Sequence, residues 1–171
     1  MLLSDAPEAE EYGIAFSEPH VDAFLLPESG TLVKDWASIR LELRDGGRSD
    51  YLSSDLGGRL CSSRLRDVIE NCKMESDELQ WLAVDVKNKG EQEKFFFLHF
   101  PQNIDFVDYN KSITVGDMIV KPVLKSSIIS SHSLLTLPGE AGRTLFVSSR
   151  LKSRIEQLGL TGMSFSTALT S

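Results

Sequence analysis

The sequence is poor in cysteine and contains no long apolar run. Its 171 residues include only two cysteines, Cys61 and Cys72, which are too few for a disulfide scaffold. If the stretch between them is helical, a rise of about 1.5 Å per residue separates them by roughly 15 Å, beyond the reach of a disulfide. No run approaches the roughly 18 apolar residues of a membrane helix. We therefore expect reduced thiols and no membrane partner.

Basic residues are missing from the first 28 positions. This segment holds seven acids and no lysine or arginine, whereas the rest of the chain balances 18 acids with 18 bases. The whole net charge of −7 therefore lies in this segment. A secretory signal peptide would instead begin with basic residues followed by an apolar stretch. The sequence thus predicts a cytoplasmic protein.

The acidic segment has two interpretations. It is either a solvated N-terminal arm, placed at residues 1–32, or an acidic surface that attracts a basic partner. Binding to nucleic acid is disfavoured, because a surface that binds phosphates needs clustered basic residues. The remaining residues, 33–171, are expected to form a single domain.

Catalytic and metal-binding motifs are also missing. There is no glycine-rich phosphate loop, no Gly-x-Ser-x-Gly, no His-Glu-x-x-His and no Cys-x-x-Cys. The histidines His20, His99 and His132 are isolated in sequence, and His99 is expected in the core. A pairing of His132 with an adjacent serine is disfavoured, because neighbours along a strand point to opposite faces. We predict no catalytic residue, no cofactor and no metal.

One ten-residue segment occurs twice in similar form. SSRLRDVIEN begins at Ser62 and SSRLKSRIEQ begins at Ser148, with six identical positions. Both copies have apolar residues at helical spacing after a serine suited to an N-cap. A short apolar segment precedes each copy, and an extended segment with an aromatic residue follows. We predict a repeated strand–helix–strand unit near 58–86 and 144–169; chance similarity of two amphipathic helices is the alternative.

The predicted fold class is α+β, with a mixed or antiparallel sheet that carries the repeated unit. ASIRLELR alternates apolar and polar residues as a half-buried strand does. LQWLAVDV and KFFFLHF predict a hairpin with a long polar loop, and the second strand is expected in the centre of a sheet because it is apolar on both faces. DMIVKPVLK and SLLTL predict two further strands. Trp36, Trp81 and 95–97 are expected in the core.

Two segments are rich in acids: one follows the first predicted helix, and the other interleaves its acids with aromatic residues. ESDE, from Glu75 to Glu78, follows the first predicted helix and is interpreted as a solvated loop rather than a metal site. NIDFVDYNKS, which lies outside the repeat, interleaves Phe106 and Tyr109 with acids. Its composition is compatible with local packing and with a protein interface.

Taken together, the chain resembles a bacterial family of immunity proteins from polymorphic-toxin loci, immunity protein family eleven. The matching segments are Trp36, DYL at Asp50, SSRL at Ser62, NIDFVDYNKS at Asn103, LFVSSRL at Leu145 and LTGMSF at Leu160. They cover roughly residues 33 to 166. The acidic first 28 residues lie outside the resemblance.

The resemblance implies a protein without catalysis that neutralises a cognate toxin by stoichiometric inhibition. Toxins of such loci include nucleases, whose basic surfaces an acidic inhibitor would attract. The candidate contact residues are acidic or aromatic: Asp5, Glu8, Glu10, Glu11, Glu75, Asp77, Glu78, Asp105, Asp108 and Tyr109. Two alternatives stay open, a small hydrolase-type enzyme that uses His132 and an adaptor or chaperone for a secreted effector. The oligomeric state is not determined by the sequence.

Overall fold

The computed structural model describes residues 2–5, 13–17, 26–116, 118–139 and 144–171. Within these ranges the chain has a strand-rich mixed α/β fold. The strands are β1 Leu2–Asp5, β2 Ile14–Ser17, β3 Ile39–Asp45, β4 Tyr51–Ser54, β5 Arg59–Ser62, β6 Gln80–Asn88, β7 Glu91–His99, β8 Ile113–Val115, β9 Met118–Lys121, β10 Val123–Leu124, β11 Leu134–Thr136, β12 Leu145–Val147, β13 Ser164–Thr167 and β14 Leu169–Thr170. The helices are α1 Ser63–Cys72, α2 Ser126–Ile129 and α3 Ser149–Gln157.

Six strands close into a barrel in the order β2–β3–β6–β7–β5–β4. Two neighbouring pairs, β2 with β4 and β3 with β6, are parallel, and the other four are antiparallel. The mixed strand directions agree with the predicted fold class, whereas the closure into a barrel was not predicted. The barrel encloses a packed apolar cluster that includes Leu41, Leu60, Val84, Phe95 and Phe97.

The hairpin of β6 and β7 is confirmed, but its predicted long loop is wrong. The strands pair without interruption from Gln80 opposite His99 to Asn88 opposite Glu91. Only Lys89 and Gly90 form the turn, with φ of 50° and 90°. Positive φ at both central residues matches the twist of paired strands. The residues interpreted as a polar loop therefore extend the ladder.

β7 lies between β6 and β5, which confirms its predicted central place. Phe95 and Phe97 face the barrel interior. Between them, Phe96 makes an edge contact with Trp81 and lies under the Arg66 guanidinium of α1, while Leu98 joins the cluster beneath the helices. Both faces are apolar because the barrel core covers one face and the helix layer covers the other.

α1 and α3 begin with the same N-cap. The Ser62 hydroxyl accepts a hydrogen bond from the Leu65 amide (3.1 Å), and the Ser148 hydroxyl accepts one from the Leu151 amide (3.2 Å). Both predicted helices are confirmed, and they bury their apolar stripes in one shared cluster. Whether the two strand–helix units are repeats of one another stays a prediction.

A second sheet has the order β11–β12–β1–β13. β1 lies between β12 and β13 and is antiparallel to both. The described parts of 1–32 thus include two paired strands, β1 in this sheet and β2 in the barrel. The boundary of the predicted acidic arm at residue 32 stays a prediction.

Cys61 and Cys72 are free and buried, in accord with the expected reduced thiols. Burial raises the pKa of the Cys61 thiol, which keeps it protonated and unreactive. Among the described residues, no helix has the length and apolarity needed to cross a membrane.

Candidate partner-binding surface

β8 and β9 form a hairpin that is a two-stranded sheet of its own. Val115 pairs with Met118 and Thr114 pairs with Ile119. Side chains alternate between the faces of a strand, so the two pairs lie on opposite faces. Ile119 packs against the apolar cluster beneath the hairpin. The pair of Val115 and Met118 consequently points away from the protein.

The outer face of this hairpin is apolar and exposed to solvent. Ile113, Val115, Met118 and Val120 have exposed fractions of 54%, 68%, 70% and 57%. We call these four residues the apolar hairpin face. Single exposed apolar residues are common on protein surfaces, but a contiguous apolar patch usually marks an interaction site.

The base of the hairpin is fixed in the core. Phe106 is fully buried and makes an edge contact with Phe146 at 5.5 Å between ring centroids. The Lys125 amide donates to the Phe106 carbonyl (2.8 Å), and Val107 forms a bridge with Leu124. The apolar hairpin face therefore stands on an ordered base.

Ser112 connects the two sides of the hairpin base. Its hydroxyl donates to the Asp108 carbonyl (2.7 Å) and accepts from the Val123 amide (2.9 Å). Tyr109 lies in the turn closed by these bonds and exposes 54% of its surface. Of the two aromatic residues of this segment, Phe106 is core and Tyr109 is available to a partner.

The predicted acids of this segment are already paired with cations. Asp105 contacts the Lys125 ammonium at 2.7 Å, and Asp108 contacts the Lys111 ammonium at 3.5 Å. Each pair cancels its own charge, so Asp105 and Asp108 add little net negative charge at the hairpin base. These acids contribute little to a long-range acidic field.

The three predicted acids that follow α1 differ in exposure. Glu75 and Glu78 are exposed, whereas the Asp77 carboxyl is buried and accepts hydrogen bonds from the amides of Met74 (2.8 Å) and Ser133 (2.9 Å). A buried carboxylate held by internal donors is not accessible to a partner. We therefore leave Asp77 out of the candidate surface.

Asp77 also holds His132, the residue on which the hydrolase alternative depends. The His132 Nδ1 donates to the Asp77 carboxylate at 2.9 Å, but the adjacent Ser133 hydroxyl donates to the Cys72 carbonyl at 2.6 Å. The cavity bordered by Asp77 and His132 has a volume of about 20 Å³, roughly the space of one water molecule. This arrangement has no space for a substrate and gives the hydrolase alternative no support.

The same cavity is lined by Glu78 and Ile104. The loop after α1 and the segment that leads to Asp105 are therefore neighbours. Of the remaining predicted contact residues, Asp5 lies in β1, but its side chain lies outside the described part, as do Glu8, Glu10 and Glu11. Within the described residues, no group of three His, Cys, Asp or Glu comes together as a metal site.

The buried Asp50 carboxylate joins three segments of the chain, an arrangement that sequence patterns did not predict. It accepts hydrogen bonds from the Ser62 hydroxyl (2.7 Å) and the Thr161 amide (3.1 Å). The Asp50 amide donates to the Thr161 carbonyl (3.1 Å), and the Ser62 amide donates to the Asp50 carbonyl (2.8 Å). We call Asp50, Ser62 and Thr161 the Asp50 junction.

Gly162 follows the junction in a position that only glycine fits. Its φ is +91°, and a Cβ there would lie 2.2 Å from the Tyr51 carbonyl oxygen. The close approach of these backbones holds the segment after α3 against β4. The junction thus connects the barrel to the helix pair.

A strand-rich scaffold that presents an apolar face to solvent is typical of a protein-binding domain. The chain matches the Immunity protein family (Imm11) over residues 27–170, and it belongs to this family. This match confirms the resemblance seen in the sequence. A comparison with curated proteins finds no match.

The segments that carried the resemblance contain the Asp50 junction. DYL supplies Asp50, SSRL supplies Ser62 and LTGMSF supplies Thr161 with Gly162. These motif residues connect the parts of the fold, whereas the apolar hairpin face lies outside the motifs. The resemblance therefore identified the scaffold and left the binding surface unassigned.

Proposed function

We propose that the protein neutralises a cognate bacterial toxin by binding it stoichiometrically in the cytoplasm. The observation that carries the proposal is membership of the immunity family over residues 27–170. An inhibitor of this kind needs a surface complementary to its toxin and no chemistry of its own. The absence of space for a substrate beside His132 agrees with this function.

The exposed acids would attract a basic toxin such as a nuclease. Among the described residues, neither Glu75 nor Glu78 forms an ion pair, so their charges act at longer range than those of Asp105 and Asp108. Complementary charge raises the association rate more than it slows dissociation. Asp5, Glu8, Glu10 and Glu11 remain part of this proposal as further candidate contact residues.

Pull-down and co-expression test the function. Tagged protein from its native host should recover one partner in a one-to-one complex. Expression of that partner alone should arrest growth of a sensitive host, and co-expression with this protein should restore growth. Recovery of no partner from cells shown to produce the neighbouring toxin-like protein would refute the proposal.

The steering role of the acids is tested by the paired substitution Glu75→Gln with Glu78→Gln. We expect the association rate to fall about threefold or more at low salt and to change little at high salt, because exposed charges are screened. Glu91→Gln, an exposed acid in β7, is the matched control. The control removes one charge and the paired variant removes two, so a fall in the logarithm of the rate that is only twice as large for the paired variant would mean that only total charge matters.

We also propose that the units near 58–86 and 144–169 are copies of one structural unit. Supporting this, each has a serine N-cap at the same position and buries leucine and isoleucine at matching places, Leu65 with Ile69 and Leu151 with Ile155.

A further inference from the structure

We propose that the toxin docks on the apolar hairpin face and covers it with an apolar groove. This inference rests on the proposed function and adds the surface that holds the complex together. In this proposal the exposed acids speed association with the toxin. The apolar contacts of Ile113, Val115, Met118 and Val120 slow dissociation of the complex.

The size of the face and the net charge of the protein bear on what covers this face. At their exposed fractions, the four residues present on the order of 400 Å², within the range in which the largest patch of a monomer is often functional. A standard interface buries about 800 Å² on each partner. The face therefore forms the centre of a larger contact area. Two copies that each carry a net charge of −7 repel each other, which favours a different protein over a second copy as the occupant.

The charges around the apolar hairpin face indicate the chemistry of the toxin surface that would cover it. The acids at the hairpin base are neutralised by Lys125 and Lys111, so the area around the face offers a basic partner little attraction. The complementary surface on the toxin is therefore apolar at its centre, even if the toxin is basic elsewhere.

A depression beside the face provides an anchor site. Val120, Pro122, Phe146 and Leu169 line a depression of about 160 Å³, and Leu169 is itself 46% exposed. A cavity of about 150 Å³ accepts a benzene ring. One aromatic or large aliphatic side chain of the toxin fits this depression, and such pockets are where interface energy concentrates.

The hairpin also has free backbone edges. β8 and β9 pair with each other and with no further strand among the described residues. A two-stranded sheet by itself is only marginally stable in water. Cover by a groove would remove both the apolar side chains and the edge amides from water, so binding and ordering of the hairpin reinforce each other.

The test compares two polar variants with the wild type. Val115→Thr with Met118→Gln removes the centre of the face and retains strand-forming residues, and Leu32→Gln changes an apolar residue of similar exposure (60%) outside the hairpin. The probe is the purified partner from the pull-down, measured by surface plasmon resonance at low and high salt. We expect the double variant to weaken binding at least about tenfold at both salt concentrations through faster dissociation. Leu32→Gln should bind within about twofold of the wild type.

Several outcomes would overturn the assignment. Unchanged affinity of the double variant, when the wild type binds, would refute the docking face and leave the proposed function intact. No binding by the wild type would refute the proposed function itself. A wild-type dimer in sedimentation that the double variant abolishes would identify a second copy as the occupant. Binding at the face that leaves the toxin active would identify an adaptor.

A measurement on the wild type alone excludes misfolding as an explanation. Hydrogen exchange should show amides of 113–121 protected in the complex relative to the free protein, because the free edges exchange readily. Equal exchange in both states would contradict docking on the hairpin.

Discussion

In the Asp50 junction a carboxylate lies buried among hydroxyl and amide donors, whereas in the apolar hairpin face four apolar side chains stand in water. Asp50 is 2% exposed, and Met118 is 70% exposed. Carboxylates are usually exposed and large apolar side chains are usually buried, so both regions reverse the usual preference. Internal donors compensate for the burial of Asp50, while nothing among the described residues compensates for the exposure of the hairpin face.

The difference separates residues that hold the fold together from residues that we propose to bind a partner. A buried polar residue with all its partners inside the protein specifies how segments meet. An exposed apolar patch has its complement outside the protein. Substitutions in each region, and at a partly exposed ion pair on α1, test this division.

The largest loss of stability is expected for Asp50→Ala. The substitution leaves the buried Ser62 hydroxyl and the part-buried Thr161 amide without their acceptor. A fully buried unsatisfied donor costs about 1–3 kcal/mol. We expect about 3–5 kcal/mol lost in the free energy of unfolding, measured by urea denaturation. Asp67→Ala, a carboxylate 60% exposed on α1, should change it by about 0.5 kcal/mol or less. Similar losses for the two variants would contradict the structural role of the junction.

Gly162→Ala should cost about 3 kcal/mol, because its Cβ meets a backbone oxygen at 2.2 Å and a positive φ is retained. Gly159 is the matched control, since it has φ +60° and a Cβ at that position would meet no atom within 4 Å. Gly159→Ala should therefore cost only the conformational penalty of about 1 kcal/mol. Thermal unfolding of both variants decides the comparison; equal shifts would show that steric contact with Tyr51 is unimportant.

A smaller, pH-dependent effect is expected at Glu70, on α1. Burial would raise the pKa of Glu70, but the ion pair with Lys73 and the hydrogen bond from the Trp81 indole (2.6 Å) lower it overall. A lowered folded-state pKa adds stability above the unfolded value of about 4.3, and this stability is lost as pH falls through the folded value.

Glu70→Gln should therefore unfold about 0.5–1 kcal/mol more easily at neutral pH, a value limited by solvent screening. The difference from the wild type should disappear in acid. Urea denaturation measures this difference in the free energy of unfolding, once at neutral pH and once at a pH below the ordinary pKa of a glutamate. A difference that persists unchanged in acid would assign the effect to packing rather than charge.

The smallest stability effect is expected for Val115→Thr with Met118→Gln. Both side chains already contact water, so the free energy of unfolding should change by no more than about 0.5 kcal/mol. Differential scanning calorimetry of the free protein measures it. A loss of about 2 kcal/mol or more would show that the hairpin face packs against the scaffold, and the contrast with the Asp50 junction would fail.

Local elements of the fold were predictable because their signals are local. The serine caps at Ser62 and Ser148 and the alternation in β3 each depend on a few neighbouring residues. The turn at Lys89 and Gly90 was missed because lysine carries no strong preference for positive φ. Barrel closure depends on parallel pairs between distant strands, β2 with β4 and β3 with β6, which no local pattern encodes.

The binding surface was less predictable than the fold. The apolar residues of DMIVKPVLK indicate strands but not which strand face meets water, so the apolar hairpin face was missed. Asp77 sits in a loop of acids whose composition indicates a solvated segment, yet its partners His132 and Ser133 come from a distant segment. Tyr109 was singled out as a candidate from its acidic surroundings, and its exposure is compatible with that prediction.

The position of β1 has a consequence for synthesis of the protein. Leu2–Asp5 pairs with Leu145–Val147 and Ser164–Thr167, so this strand needs as neighbours two strands that are synthesised at least 140 residues after it. At about 5–20 residues per second, translation keeps that strand waiting on the order of ten seconds. The sheet β11–β12–β1–β13 is therefore complete only after β13 has been made, and β1 has no partner in this sheet before β12.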